Sequence, residues 1–153
     1  QEVTQDFFKA MPGALERVAE HKLMRPLGAS HETTKPKLAE SWRSGRSLDN
    51  IRANLVAAEA MYLGRGERGG FSCVVREVAG DTQLDDLLRR AFKQTRDTAD
   101  SIAMPLSRAI ADPAERVKVA KLAREASALK ALLAQRLTAA LGIPLGFNSM
   151  DGD

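Results

Sequence analysis

The stretch Asp81-Thr-Gln-Leu-Asp-Asp-Leu-Leu-Arg-Arg-Ala-Phe92 and the restart Asp112-Pro113-Ala114-Glu115 that follows it decide the fold. From Leu84 through Leu87, Leu88, Ala91, Phe92, Thr95, Ala99, Ile102 and Leu106 to Ile110, apolar and small residues keep the helical period of roughly 3.6 residues. Asp81 stands as N-cap of this helix, and Pro105 predicts a bend near its end. The restart offers a capping Asp, a proline at the first helical position and an acid at the third. Beyond it Val117, Ala120, Leu122, Ala126, Leu129, Leu132, Leu133, Leu137 and Leu141 continue one stripe to Gly142, which is placed as a left-handed C-cap. Two long antiparallel helices joined by a tight turn follow.

Working outward, Val3, Phe7, Phe8, Met11, Leu15 and Val18 form the stripe of an earlier helix, from Glu2 to about His21, in which Pro12 and Gly13 predict a kink. Met24-Arg25-Pro26-Leu27-Gly28 closes it. Ala29 to Glu40 is nearly free of apolar residues and reads as a loop. Ser47 is placed to cap a further helix through Leu48, Ile51, Leu55, Ala58, Met61 and Tyr62, with Asp49 favoured in its first turn by the helix dipole. The run Gly64-Arg-Gly-Glu-Arg-Gly-Gly70 breaks that helix; it spells neither a dinucleotide nor a P-loop fingerprint and reads as a turn. Phe71 to Ala79, apolar on both faces, reads as a brief buried helix, with a short strand as the alternative, and Cys73 as a small core residue. The expectation is an all-α chain, one domain over 1–153, folded as an up-down four-helix bundle with kinked helices.

Composition narrows the chemistry. The 153 residues hold 23 Lys and Arg against 20 Asp and Glu, a net charge of +3 with no basic tail, so nucleic acid is not an expected partner. Aromatic residues make up only 5% of the chain against a hydrophobic content of 44%, which suits packed helices rather than a β-sandwich or barrel. The single cysteine allows no intrachain disulfide, and two histidines are too few for a multi-histidine metal site built by this chain. No run of 18 apolar residues offers a transmembrane segment.

Three stretches are unlike generic helix or loop: Lys22-Leu-Met-Arg-Pro-Leu-Gly28, Glu40-Ser-Trp-Arg-Ser-Gly-Arg-Ser-Leu-Asp-Asn-Ile51, and the terminal Leu145-Gly-Phe-Asn-Ser-Met-Asp-Gly-Asp153. In the second, Ser41, Trp42, Arg43, Ser44, Arg46, Ser47, Leu48 and Asn50 resemble the Trp-Arg-Ser-x-Arg-Ser-Leu segment of the imelysin family, helical bacterial envelope proteins associated with iron acquisition. Leu141-Gly-Ile-Pro-Leu-Gly-Phe-Asn-Ser-Met-Asp-Gly-Asp153 is similar to that family's closing segment. The resemblance implies two bundle-like halves, of which this chain is the second. The family's Gly-x-His-x-x-Glu marker belongs to the first half and is absent here: Met24 stands three residues after His21, and Thr34 three after His31. By resemblance, the expected protein is periplasmic or outer-membrane associated in a Gram-negative bacterium, with any lipid anchor outside this chain. Its expected partners are an N-terminal half of the same protein or another envelope protein. Iron is the implied cargo. Two alternatives are a metallopeptidase fragment of the same family, although no zincin-type His pair is present to hold a metal-bound water, and a structural helical interaction module.

The candidate ligand-binding residues are Ser41, Trp42, Arg43, Arg46, Asn50, Asn148 and Asp151. Arg43 and Arg46, three apart, can offer two guanidinium forks to one anion beside a helix N-terminus, with Trp42 stacked alongside. The alternative reading has Trp42 plugging the open end of the bundle while the arginines pair with Glu40 and Asp49. In the tail, Asn148, Asp151 and Asp153 supply oxygen donors that suit a hard cation, or else a C-terminal turn with solvated acids. His31 beside Glu32 is a further metal-ligand candidate or an ordinary exposed histidine. The cations of the last helix, Arg116, Lys118, Lys121, Arg124, Lys130 and Arg136, read as a solvated face.

Overall fold

Caps and stripes place the helices, and a computed structural model describes residues 10–65 and 68–142. Helix α1 covers 10–27, α2 is Ser47–Leu63, α3 covers 71–78, α4 is Thr82–Asp100, α5 is Leu106–Ala109 and α6 covers 113–141. One 3-10 turn, Pro36–Leu38, interrupts the long loop after α1. A minimal antiparallel hairpin, Gly64–Arg65 against Arg68–Gly69, links α2 to α3. The chain is all-helical in character. Glu2 to Lys9 of the first apolar stripe, and Asn148, Asp151 and Asp153 of the tail, lie outside the described residues.

The expected caps of the second half are present. Asp81 accepts the Leu84 N–H at 2.9 Å, and Asp112 accepts those of Ala114 and Glu115 at 3.0 and 2.9 Å. Gly142 ends α6 in the left-handed region at φ 61°. Ser47 corrects its expectation: it is the first residue of α2, not its cap, and its hydroxyl donates back to the Glu40 carbonyl.

Two other expectations are also corrected. Helix α1 runs on through Pro12 and Gly13 and departs from α geometry later, over Arg17–Met24, where the hydrogen bonds step i to i+5, as from the Arg25 N–H to the Glu20 carbonyl. The helix expected to bend at Pro105 instead stops at Asp100, and α5 is a separate turn. Pro105 keeps Met104 out of helical geometry, and side chains from neighbouring helices take up the backbone groups released by the break. Arg52 of α2 donates to the Ala99 and Ile102 carbonyls at 3.0 and 3.1 Å, and Glu115 of α6 accepts the Ala103 N–H at 3.0 Å.

The long helices pack in a cycle: α1 on α6, α6 on α4, α4 on α2, and α2 back on α1. Their shared core includes Leu15, Leu23, Ile51, Leu55, Leu88 and Leu122, each essentially without solvent exposure. Ile102, Leu106 and Ile110 remain buried across the break, so the stripe survives although the helix does not. Tyr62 stacks on Phe92 with centroids 5.6 Å apart. No helix among the described residues is long and apolar enough to cross a membrane.

Candidate functional site

The loop between α1 and α2 is held at both ends before it reaches the Trp42 turn. Arg116, expected on a solvated face, is half-buried instead and pins the near end: it donates to the carbonyls of Leu27 (2.7 Å), Gly28 (3.2 Å) and Ile110 (3.2 Å) and to the Thr34 hydroxyl (2.9 Å). Gly28 sits at φ 68°, and a Cβ there would meet the Thr33 carbonyl oxygen at 2.4 Å, so only glycine fits that bend. His31 adds a contact, its Nε2 lying 2.9 Å from the Ala111 carbonyl oxygen, the geometry of a backbone tether. At the far end, Lys22 of α1 binds Glu40 at 2.6 Å and Asn54 of α2 at 2.8 Å.

Between these anchors the turn 41–46 is internally bonded. Ser41 takes a positive φ of 56°, a conformation non-glycine residues seldom adopt. Its carbonyl accepts from the Ser44 amide at 3.2 Å and the Ser44 hydroxyl at 3.0 Å, and its hydroxyl accepts from Asn50 at 3.4 Å. Trp42 donates its N–H to Ala39 at 3.1 Å and its carbonyl accepts from Gly45 at 3.3 Å, which fixes the residue from both sides. The indole is half-buried against the core, with Arg43 5.1 Å and Lys37 5.9 Å from the ring centroid. Both distances lie within cation–π range.

The two arginines are engaged separately. Arg46 donates to Asp49 at 2.9 Å, and that guanidinium holds the Asp49 carboxyl below its ordinary range, with Arg52 adding to the effect. Arg43 lies over Trp42 and has no hydrogen-bond or ion-pair partner among the described residues. Glu40 pairs with Lys22, not with an arginine. Because the Arg46–Asp49 pair is exposed and screened by solvent, an incoming anion can compete for Arg46. Beside the turn an open cleft of about 240 Å³ is lined by Gly45, Leu48, Asp49 and Arg52 on one side and by the 102–105 break on the other. A larger open groove of about 470 Å³ follows α4; of its three cations, Lys93 and Lys121 pair with Asp97 and Glu125, and Arg90 is the third.

A second polar cluster went unread in the sequence. Asp85, only 1% exposed, accepts the Tyr62 hydroxyl at 2.7 Å and Arg89 Nε at 2.8 Å, while Arg89 also donates to the buried Ser72 hydroxyl at 2.7 Å. Burial alone pushes the Asp85 carboxyl up, but hydrogen bonds from Ser72, Tyr62 and Arg89 outweigh it and hold the group below the ordinary aspartate range. Tyr62, buried and facing that carboxylate, is pushed far above the usual phenol range. This network ties α2, α3 and α4 together. Its signal was an aspartate between Leu84 and Leu88 on the apolar stripe. Cys73, expected in the core, is partly exposed, and its hydrogen bond to Glu77 together with burial pushes the thiol up, which makes it a poor nucleophile.

Among the described residues, no group of three or more His, Cys, Asp or Glu side chains is placed to hold a metal ion. His31 Nε2 lies against the Ala111 carbonyl, with Glu32 next to it in the chain.

An all-helical protein with a braced basic–aromatic turn at the start of its second long helix is the class these features define. The chain matches the imelysin family model, a peptidase grouping, over residues 1–135, and it belongs to that family. No curated protein and no solved structure matches it.

Proposed function

We propose that this chain is the second bundle, up-down in helix order, of an imelysin-type protein of the bacterial envelope, and that its turn 41–50 is a ligand-binding face serving iron uptake. Family membership supports the class, and the sequence lacks the Gly-x-His-x-x-Glu marker that would belong to a first half. Ligand binding rests on one observation: an internally bonded turn holds Trp42 at the surface beside an open cleft, together with Arg43, which has no ion-pair partner among the described residues. In this reading iron is cargo, taken as the ion, a chelate or a partner-bound form in a cleft shared with the N-terminal half. The protein is placed in the periplasm or at the outer membrane, with any lipid anchor outside this chain. Asn148 and Asp151 of the tail are proposed as further ligand-binding residues.

Titration of ferric iron, ferrous iron and haem against the chain, alone and with an N-terminal half supplied, tests the reading. Saturable binding that weakens in Arg43→Ala supports it. The absence of binding for every ligand in both settings removes it. The family's peptidase description is the second reading, and metal-dependent cleavage of a peptide by this chain would favour it.

A further inference from the structure

We propose that Lys37, Trp42 and Arg43 form a receptor for a flat aromatic anion, of the aryl carboxylate or catecholate class, so that the cargo arrives as an aromatic chelate and not as the bare metal ion. The inference rests on the reading of the turn as the ligand face and narrows the ligand class.

Charge gives the first argument. Lys37 and Arg43 both lie within 6 Å of the indole centroid, and neither has a hydrogen-bond or ion-pair partner among the described residues. The acids that flank the turn are engaged elsewhere, Glu40 with Lys22 and Asp49 with Arg46 and Arg52. The indole therefore sits under two uncompensated positive charges, which repel a bare metal cation and attract an anion.

Shape gives the second argument. A guanidinium over an indole presents a flat surface with N–H donors at its edge, so one ligand can stack its ring and place its carboxylate or phenolate oxygens on those donors. A non-aromatic anion meets only the charges. The brace beneath the platform gives a third argument. Ser41 sits at positive φ with its carbonyl bonded by Ser44 and its hydroxyl by Asn50, and the Trp42 backbone N–H and carbonyl are both bonded, so the turn that carries the indole is ordered before a ligand arrives. Ser41 and Asn50 are positioning residues in this scheme.

Trp42 is the only tryptophan in the chain, so its emission reports on this site alone. The experiment titrates the full chain with 2,3-dihydroxybenzoate, with its ferric complex, with ferric citrate and with ferrous ion, following Trp42 emission and confirming each titration by calorimetry. Lys37→Gln and Arg43→Gln are measured in parallel as exposed substitutions that also control for absorption by the ferric complexes, and circular dichroism checks that each retains the fold. We expect saturable quenching by the two aryl anions, binding about tenfold or more tighter than citrate, and a loss of about that size in the paired variant Lys37→Gln/Arg43→Gln. Citrate binding equal to that of the aryl ligands, or aryl binding unchanged in the paired variant, overturns the inference. If ferrous ion or ferric citrate binds and the aryl anions do not, the inference falls while the ligand-face reading stands. If nothing binds, the inference falls; the ligand-face reading falls with it when the same titrations with the N-terminal half supplied also show no binding.

Discussion

Arg116 shows how a single side chain can be misjudged from its helix position. Its neighbours Val117 and Lys118 face outward, and the spacing of cations along α6 reads as a solvated face, yet its guanidinium supplies four hydrogen bonds to segments more than 80 residues away at their furthest. Contacts of that sequence separation leave no local periodicity, so only the folded chain reveals them. Arg116→Ala leaves three carbonyls without this donor, and we expect a loss of about 2–4 kcal/mol in urea unfolding. Val117→Ala, at a 65% exposed position one residue on, is expected to stay within about 0.5 kcal/mol. Tyr62→Phe takes the hydroxyl away from buried Asp85, and an expected loss of about 1–3 kcal/mol in the same measurement tests whether that hydrogen bond contributes to stability. The Trp42 segment was legible because Trp, Arg and Ser cluster at fixed spacing there. Lys37 was not, because the 3-10 turn at Pro36 folds it back onto the indole from five residues away.

Among the elements, the best-read boundaries were those set by local chemistry. Asp81, Asp112 and Gly142 each act within three residues of their own position, and all three occupy the expected cap positions. Asp112→Ala is expected to cost about 1 kcal/mol through loss of the α6 cap, and Gly142→Ala a similar amount through its left-handed φ; thermal melts of both variants check this. The end of α4 was misread because an apolar stripe continues whether or not the helix does. The i to i+5 segments were misread for a subtler reason. Leu15, Ala19, Leu23 and Leu27 of α1 repeat at steps of four, as do Leu129, Leu133 and Leu137 of α6, and the wide turns at Arg17–Met24 and Leu133–Leu137 coincide with these runs. Buried Leu84, Leu88 and Phe92 keep the same step within the ordinary helix α4, so the spacing alone does not mark the wider turns.

Across the whole molecule, the buried carboxylates Asp85 and Glu115 are expected to contribute to the acid response. Asp85 has a folded-state pKa below its ordinary value, and so does Glu115, which is lowered by Lys118 and by the Ala103 N–H. Each therefore stabilises the fold fully above its unfolded pKa, near about 4, and loses that contribution as pH falls from there through the lower folded value. Urea midpoints measured from pH 7 to pH 3 are expected to drop most steeply below about pH 4.5. Asp85→Asn is expected to start lower at pH 7 and to show a shallower acid limb; an unchanged slope would show that acid sensitivity arises elsewhere. Lys130 acts in the opposite range. Burial lowers its pKa, but Glu16 and Glu20 raise it further, so its contribution is complete at neutral pH and lost only in strong alkali. The bridge formed by Arg116 also bears on chain continuity. Because it grips Leu27 and Gly28 before the first loop and Thr34 after it, both edges of a cut made between Ala29 and Thr33 remain tied to α6. A protease nick there is expected to yield two fragments that co-elute in native gel filtration and separate only in denaturant. The peptide bonds of that loop are thus dispensable to the assembled state.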